Sequence, residues 1–203
     1  MCGIAGIITN NKNIDKIIKD MSKRIAHRGP DGEGFFKCDN VAFAHRRLSI
    51  IDLTTGNQPM YNEDESVVTI FNGEIYNYPE LKEELKKLGH KFKTKSDTEV
   101  LVHGYEEWKT NLPKRLRGMF AFAIYDKKDK TLFLARDHFG IKPLYYGEMN
   151  GDFFFASEIK AFLDVPSFNK EFNEDFYKDT LDFEKVLRGA NEFSFLGRLL
   201  GIN

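Results

Sequence analysis

The sequence predicts an α+β fold in which helices cover mainly antiparallel sheets. Three observations predict it. Short apolar runs of strand length recur along the chain. Two pairs of these runs are joined by turn-rich segments at hairpin spacing. Three stretches between them carry helical periodicity instead.

In order, residues 2–8 form a short apolar run with two glycines, which fits a buried strand. Ile14, Ile17, Ile18, Met21 and Ile25 then mark one face of an amphipathic helix. It ends in the turn-rich segment His27-Arg28-Gly29-Pro30-Asp31-Gly32. Strand-like runs follow at 41–48 and 67–71, and Asn72-Gly73 reads as a tight turn. A second helix opens at Asn77-Tyr78-Pro79-Glu80, with Asn77 as the expected cap, Leu81, Leu85 and Leu88 as its buried stripe, and Gly89 as its exit. Ser96-Asp97-Thr98-Glu99 starts a third helix, with Leu101, Tyr105 and Trp108 inward. Runs at 119–125 and 131–135 form one hairpin through Asp126–Lys130. Those at 144–148 and 152–157 form another through Met149-Asn150-Gly151. Ala156 to Leu163 reads as a short helix.

A chain of 203 residues is one domain, or one domain with an appendage. Its 30 basic and 31 acidic residues leave a net charge of −1. No basic excess favours nucleic acid and no polybasic run favours an anionic membrane. No apolar stretch approaches the roughly 18 residues of a membrane span. The N-terminus lacks the basic start of a signal peptide. The expected compartment is the cytoplasm. The two cysteines, Cys2 and Cys38, form no C-x-x-C pair, and Cys38 is expected to be structural. No His-x-x-x-His stands on a helix, so no metal site is expected. Phosphate loops of the Walker and dinucleotide types are absent, as is the Gly-x-Ser-x-Gly elbow of serine hydrolases.

Four places carry residues suited to chemistry. Removal of Met1 would leave Cys2 with a thiol and a free α-amine, a nucleophile with its own base of pKa about 7.7–8.0. Cys2 could equally be a small buried hydrophobe. Arg47 suits bidentate carboxylate binding, or is a surface cation. In an extended chain it shares a face with His45 and Ser49, and Arg46 and Leu48 take the other. Asn72 and the Gly73 N–H could hold an oxyanion, or be plain turn residues. Asp97 could cap a helix or accept hydrogen bonds from an ammonium group.

Together, in this order, these residues resemble one family. Cys2-Gly3-Ile4-Ala5-Gly6 at the N-terminus looks like the start of a class II glutamine amidotransferase, an N-terminal nucleophile hydrolase. The resemblance narrows to glutamine-hydrolysing asparagine synthetase. It narrows through His27–Gly32, Arg47-Leu48-Ser49-Ile50-Ile51-Asp52, Phe71-Asn72-Gly73-Glu74-Ile75-Tyr76-Asn77 and Ser96–Glu99. Gly118–Ala123, Arg136–Tyr146 and Ala156–Lys160 add to it. It covers about Met1 to Phe172.

The resemblance implies a four-layer αββα sandwich of two mainly antiparallel sheets. It implies that Cys2 attacks the side-chain amide of glutamine and forms a γ-glutamyl thioester, with Asn72 and Gly73 holding the oxyanion. Arg47 would bind the substrate α-carboxylate, Asp97 and Glu74 its α-ammonium, and Leu48, Ser49, Ile50 and Ile51 would line the pocket. No cofactor is implied for the glutaminase step; ATP and Mg belong to the family's synthetase domain. That domain's Ser-Gly-Gly-x-Asp-Ser loop is missing from this sequence. Residues 1–172 are therefore expected to form the glutaminase domain and 173–203 a divergent tail. A synthetase subunit acting in trans would be the expected partner for the released ammonia. The alternative is an idle remnant that only binds a partner synthetase or a glutamine-like ligand.

Overall fold

A computed structural model of the chain describes residues 1–49 and 56–170. Among these residues nine strands form two sheets: β1 (Gly3–Ile8), β2 (Gly32–Cys38), β3 (Val41–Arg47), β4 (Met60–Tyr61), β5 (Val67–Ile75), β6 (Gly118–Asp126), β7 (Thr131–Arg136), β8 (Tyr145–Met149) and β9 (Asp152–Ala156). The five-stranded sheet has the order β2-β3-β1-β9-β8 and the four-stranded sheet β4-β5-β6-β7. Every strand pair in both is antiparallel. Four α-helices accompany them: α1 (Ile14–Arg24), α2 (Tyr78–Lys87), α3 (Glu99–Trp108) and the single turn α4 (Leu112–Arg115).

Three buried clusters separate four layers. The first joins Ile14, Ile17, Ile18 and Met21 of α1 to Ala5 and Ile7 of β1, Ala42 and Ala44 of β3, and Phe154 of β9. The second lies between the two sheets and holds Ile4, Phe43, Phe155, Val68, Ile70, Ala121 and Ala123. The third joins Phe71, Phe120 and Phe122 of the smaller sheet to Leu81 and Leu85 of α2 and Leu101 and Tyr105 of α3. This is the αββα sandwich. Alternate residues of β1, β3, β5, β6 and β9 enter different clusters, so both faces of these strands are buried. That is why the sequence shows continuous apolar runs rather than an alternating pattern.

The helices at 14–24, 78–87 and 99–108 and both hairpins lie where the periodicity places them. Several local readings need correction. Asn72-Gly73 is no turn: β5 runs straight through it to Ile75, paired with β6 as far as Gly118. Asn77 precedes α2 without a side-chain capping bond. Its amide instead ties down the approach to β6, with Nδ2 donating to the Arg115 carbonyl at 3.0 Å and Oδ1 accepting from the Arg117 N–H at 2.8 Å. The short helix near 156–163 is a 3₁₀ segment at Ile159–Asp164. Strand β2 escaped the periodicity because Gly32 and Gly34 interrupt it. Gly34 has a packing reason, since a Cβ there would come within 1.9 Å of the Gln58 carbonyl oxygen.

Candidate active site

Alternation decides where the candidate residues meet. In β1, β3 and β5, the residues facing between the sheets are Ile4, then Val41 and Phe43, then Val68 and Ile70. Two steps further along each strand the same direction is kept by Cys2, His45 then Arg47, and Asn72 then Glu74. All reach the same end of the inter-sheet layer. There one pocket is lined by Cys2, Arg47, Leu48, Asn72, Gly73, Glu74 and Asp97. Its empty volume, counting the open mouth, is about 570 Å³. Ser49 does not line it. The Ser49 N–H donates to Asp31 Oδ2 at 2.8 Å. Ile50 and Ile51 lie outside the described residues.

Cys2 is held by backbone and by a cation. The Leu48 N–H points at its Sγ from 3.4 Å, and the thiol faces the Leu48 carbonyl at 3.6 Å. The strand ends at Arg47, so Leu48 turns into the pocket instead of to the far face that strict alternation assigns it. Arg46 does take the far face, donating to the Ser22 hydroxyl on α1 at 2.8 Å. Arg28 Nε donates to the Cys2 carbonyl at 3.0 Å, and its Nη1 donates to Glu158 Oε1 at 3.0 Å. Ser157 pins Ile4, two residues on, its Oγ accepting from the Ile4 N–H and its own N–H donating to the Ile4 carbonyl. The motif segments 27–32 and 156–160 thus hold the start of β1 in place. Among the described residues, Cys2 and Cys38 are both free thiols.

Beyond Thr69, β5 has β6 on one side and, among the described residues, no strand on the other. Alternate N–H groups face that open edge, and two of them are taken by side chains. The Phe71 N–H donates to Gln58 Oε1 at 2.6 Å and the Ile75 N–H to Asp97 Oδ2 at 2.9 Å. By the same alternation the Gly73 N–H lies between them, facing the pocket. Glycine is required here for close approach: a Cβ at 73 would lie 2.2 Å from the Met119 carbonyl oxygen. Asn72 is 1% exposed, and its Nδ2 donates to nothing among the described residues. A buried amide without a partner costs about 1–3 kcal/mol, and such a group calls for an explanation.

The opposite wall is acidic. Asp97 is buried beside Ser96 and Thr98, and its carboxyl is pushed above the usual range, first by burial and also by the nearby Glu74 carboxylate. It does not cap α3, whose preceding residue Thr98 makes no side-chain capping bond. Arg47 donates to Asn57 Oδ1 at 2.8 Å at the other side of the pocket. Arg47 and two carboxylates thus flank a thiol and two N–H donors, as a zwitterionic substrate with a carbonyl at its far end would need.

Gln58 and Lys142 also line the pocket, and sequence reasoning assigned neither a role. Gln58 plugs the strand edge from a loop 13 residues away, a contact with no local signal. Lys142 is 6% exposed with its Nζ 3.4 Å from Met1 Sδ. Its loop is organised by Asp137, which accepts N–H groups from Phe120, Phe139, Ile141 and Lys142 at 2.9–3.2 Å. Burial works against charge on Asp137, but these bonds win and hold its carboxyl below the usual range. The Arg136-Asp137-His138 run is therefore loop architecture and not part of a triad.

His45 supports the site from behind. Burial pushes its imidazole down to about 4, against a bond to the Phe71 carbonyl that works the other way, with Arg47 adding to the fall. The unfolded chain binds the proton near pH 6.5, so this contribution is intact above pH 6.5 and lost as pH falls towards 4. The loss reaches about 3 kcal/mol at one pKa unit per 1.36 kcal/mol. Denaturant midpoints at pH 7 and pH 5 should differ less in His45→Gln than in the parent chain. An equal difference in both would remove His45 from this role.

Residues 1–199 match the family model of the glutamine amidotransferase domain. Asparagine synthetase [glutamine-hydrolyzing] 1 of Bacillus subtilis (strain 168) is 46% identical over 191 residues, covering 92% of this chain and 30% of that protein. Asparagine synthetase [glutamine-hydrolyzing] 2 of Oryza sativa subsp. japonica is 47% identical over 169 residues, covering 81% and 28%. The chain therefore spans less than a third of the length of these curated relatives. Among solved structures, the glutamine phosphoribosylpyrophosphate amidotransferase of B. subtilis superposes with a TM-score of 0.67 at 26% identity, over 81% of this chain and 43% of that one. A match from end to near end, on a sandwich whose pocket gathers a thiol, an amide and a glycine N–H, places the chain in the glutamine amidotransferase domain family.

Proposed function

We propose that this chain hydrolyses the side-chain amide of glutamine to glutamate and ammonia, as the glutaminase part of a glutamine-hydrolysing asparagine synthetase. The observation that carries the reading is the buried, unpartnered Asn72 Nδ2 in the same pocket as Cys2 Sγ. A donor kept without a partner suits an oxyanion that exists only during the reaction.

Loss of Met1 frees the Cys2 α-amine. The amine takes the thiol proton as Sγ attacks the amide carbon. The carbonyl oxygen becomes an oxyanion bound by Asn72 Nδ2 and the Gly73 N–H. Collapse breaks the C–N bond, the proton passes to the leaving nitrogen as ammonia departs, and a γ-glutamyl thioester stays on Cys2. Water, activated by the same amine, releases glutamate and restores the thiol. Arg47 receives the substrate α-carboxylate, and Asp97 and Glu74 receive its α-ammonium. An ammonium seated there would offset the burial and the Glu74 carboxylate that together raise Asp97. The step uses no cofactor. ATP and Mg belong to the synthetase reaction, and a synthetase unit is the proposed recipient of the ammonia. The unit proposed for this work is residues 1–172, in the cytoplasm. Among the described residues no helix is long and apolar enough to cross a membrane.

The test is glutamate and ammonia release from glutamine by the purified chain, with its mass read in parallel. Equimolar release by a chain lacking Met1 is the expected result. No release from a chain whose mass proves that Met1 is gone would overturn the reading, in favour of an idle domain that binds a synthetase or a glutamine-like ligand.

A further inference from the structure

A second cluster of side chains stands apart from the pocket. Glu63 comes from the turn between β4 and β5, His90 from the segment after α2, and His103 and Glu106 from adjacent turns of α3. One ligand atom from each lies within 4.8 Å of the others, and none of the four lines the catalytic pocket. We propose that these four side chains form a binding site for a divalent transition ion of the zinc type.

The spacings fit. His103 Nδ1 is 3.3 Å from Glu63 Oε2 and 3.6 Å from Glu106 Oε2. His90 Nδ1 is 3.7 Å from Glu63 Oε1 and from Glu106 Oε2. Ligand bonds of about 2.0–2.1 Å in a tetrahedron separate their donor atoms by about 3.3 Å. One of these separations matches that edge and three exceed it by a few tenths of an ångström. Glu63 faces His103 through Oε2 and His90 through Oε1, and with one atom from each residue the set spans up to 4.8 Å, so an ion would draw the Glu63 carboxylate round as it closed the site. Two imidazoles and two carboxylates are a donor set for zinc or its neighbours, and not for calcium or magnesium, which take oxygen.

Three facing atoms of the cluster stand at ion-pair distance from their neighbours with no hydrogen bond among the described residues. The His103 side chain is 1% exposed, yet neither of its ring nitrogens makes a hydrogen bond, and Glu106 Oε2 is likewise buried and unbonded. Both histidines already have carboxylates on their other nitrogen: Glu107 Oε1 is 3.0 Å from His90 Nε2 and Glu99 Oε1 is 3.6 Å from His103 Nε2. This is the outer shell that orients a metal-bound imidazole through its remote N–H. The carboxylates are anchored too. Asn62 Nδ2 donates to Glu106 Oε1 at 2.8 Å and the Lys91 N–H to Glu63 Oε1 at 2.9 Å. The spacing of single histidines in the sequence hides such a site, because its ligands come from three separate segments.

An ion there would staple the turn before β5 and the end of α2 to α3, stabilising the fold without touching the reaction. Because a cysteine at the N-terminus also binds zinc, the test uses Cys2→Ala as the parent chain, stripped with EDTA. Adding ZnCl₂ should bind one equivalent and raise the melting temperature by about 5–10 °C at a hundredfold excess over Kd. CoCl₂ should give the visible d–d bands of a four-coordinate ion. Adding His90→Ala, or Glu63→Gln where that variant folds better, should abolish the shift and leave the metal-free melting temperature close to the parent's. Glu107→Gln should weaken binding about 10–100-fold. Absence of a zinc-dependent shift in the parent, or a shift undiminished by both ligand variants, would overturn the proposal.

Discussion

Replacing Cys2 by alanine should reduce glutamate release to the background of the assay while leaving the melting temperature within a few degrees of the parent. The two readouts part because the hydrogen bonds of Sγ among the described residues are those with the Leu48 backbone, whereas the placement of residue 2 rests on Arg28 and the pairing of β1. Removing one half-buried sulfur leaves those in place. Cys2→Ser should be almost as inactive, since a hydroxyl at neutral pH is a far weaker nucleophile than a thiol beside an amine. Release by Cys2→Ala above a tenth of the parent rate would sink the nucleophile assignment. Loss of activity with a melting temperature lowered by more than about 10 °C would say that the variant reports on folding instead.

The second large effect is expected from Asn72→Ala. Losing one oxyanion donor costs about 10²–10³ in turnover. The fall should appear in kcat, with KM changed only a few-fold, because the donor is engaged in the transition state more than in the bound substrate. Stability should move little or rise slightly. The amide removed is a buried group whose Nδ2 has no hydrogen bond to lose among the described residues, and its desolvation penalty disappears with it. Steady-state kinetics and denaturant unfolding of one protein preparation separate these effects. A kcat within tenfold of the parent would take Asn72 out of the oxyanion site, and a marked loss of stability would mean that Nδ2 has a partner in solution.

The layers were legible in the sequence because burial on both faces leaves a clear trace. Runs such as Met119–Tyr125 and Phe153–Ala156 are too apolar to be half-exposed strands, and the Ile14–Ile25 stripe can only be a helix face. Resemblance named the candidate residues, of which the structure gathers Cys2, Arg47, Leu48, Asn72, Gly73, Glu74 and Asp97 in one pocket, with Ser49 outside its lining and Ile50 and Ile51 outside the described residues. What escaped was long-range. Asn72-Gly73 carries the local chemistry of a turn, yet its glycine answers to the Met119 carbonyl, 46 residues away in sequence. Asn77 and Asp97 look like caps but spend their side-chain atoms on Arg117 and Ile75. Gln58, Lys142 and the histidine–glutamate cluster depend on segments that meet only when the sheets stack. Periodicity reports which face a residue is on, not which segment of the chain it will meet there.

The open edge of β5 has a wider consequence. A bare strand edge invites another chain to pair with it, the usual route to sheet-mediated aggregation. Here Gln58 and Asp97 occupy the N–H groups on either side of Gly73 and leave a single-atom gap. A peptide strand needs several donors in succession to add to a sheet; one carbonyl oxygen needs only one. The same two side chains that leave one N–H for the proposed oxyanion also deny the edge to a neighbouring protein. On the proposed function, selectivity for a small molecule and protection from self-association are, at this edge, one arrangement.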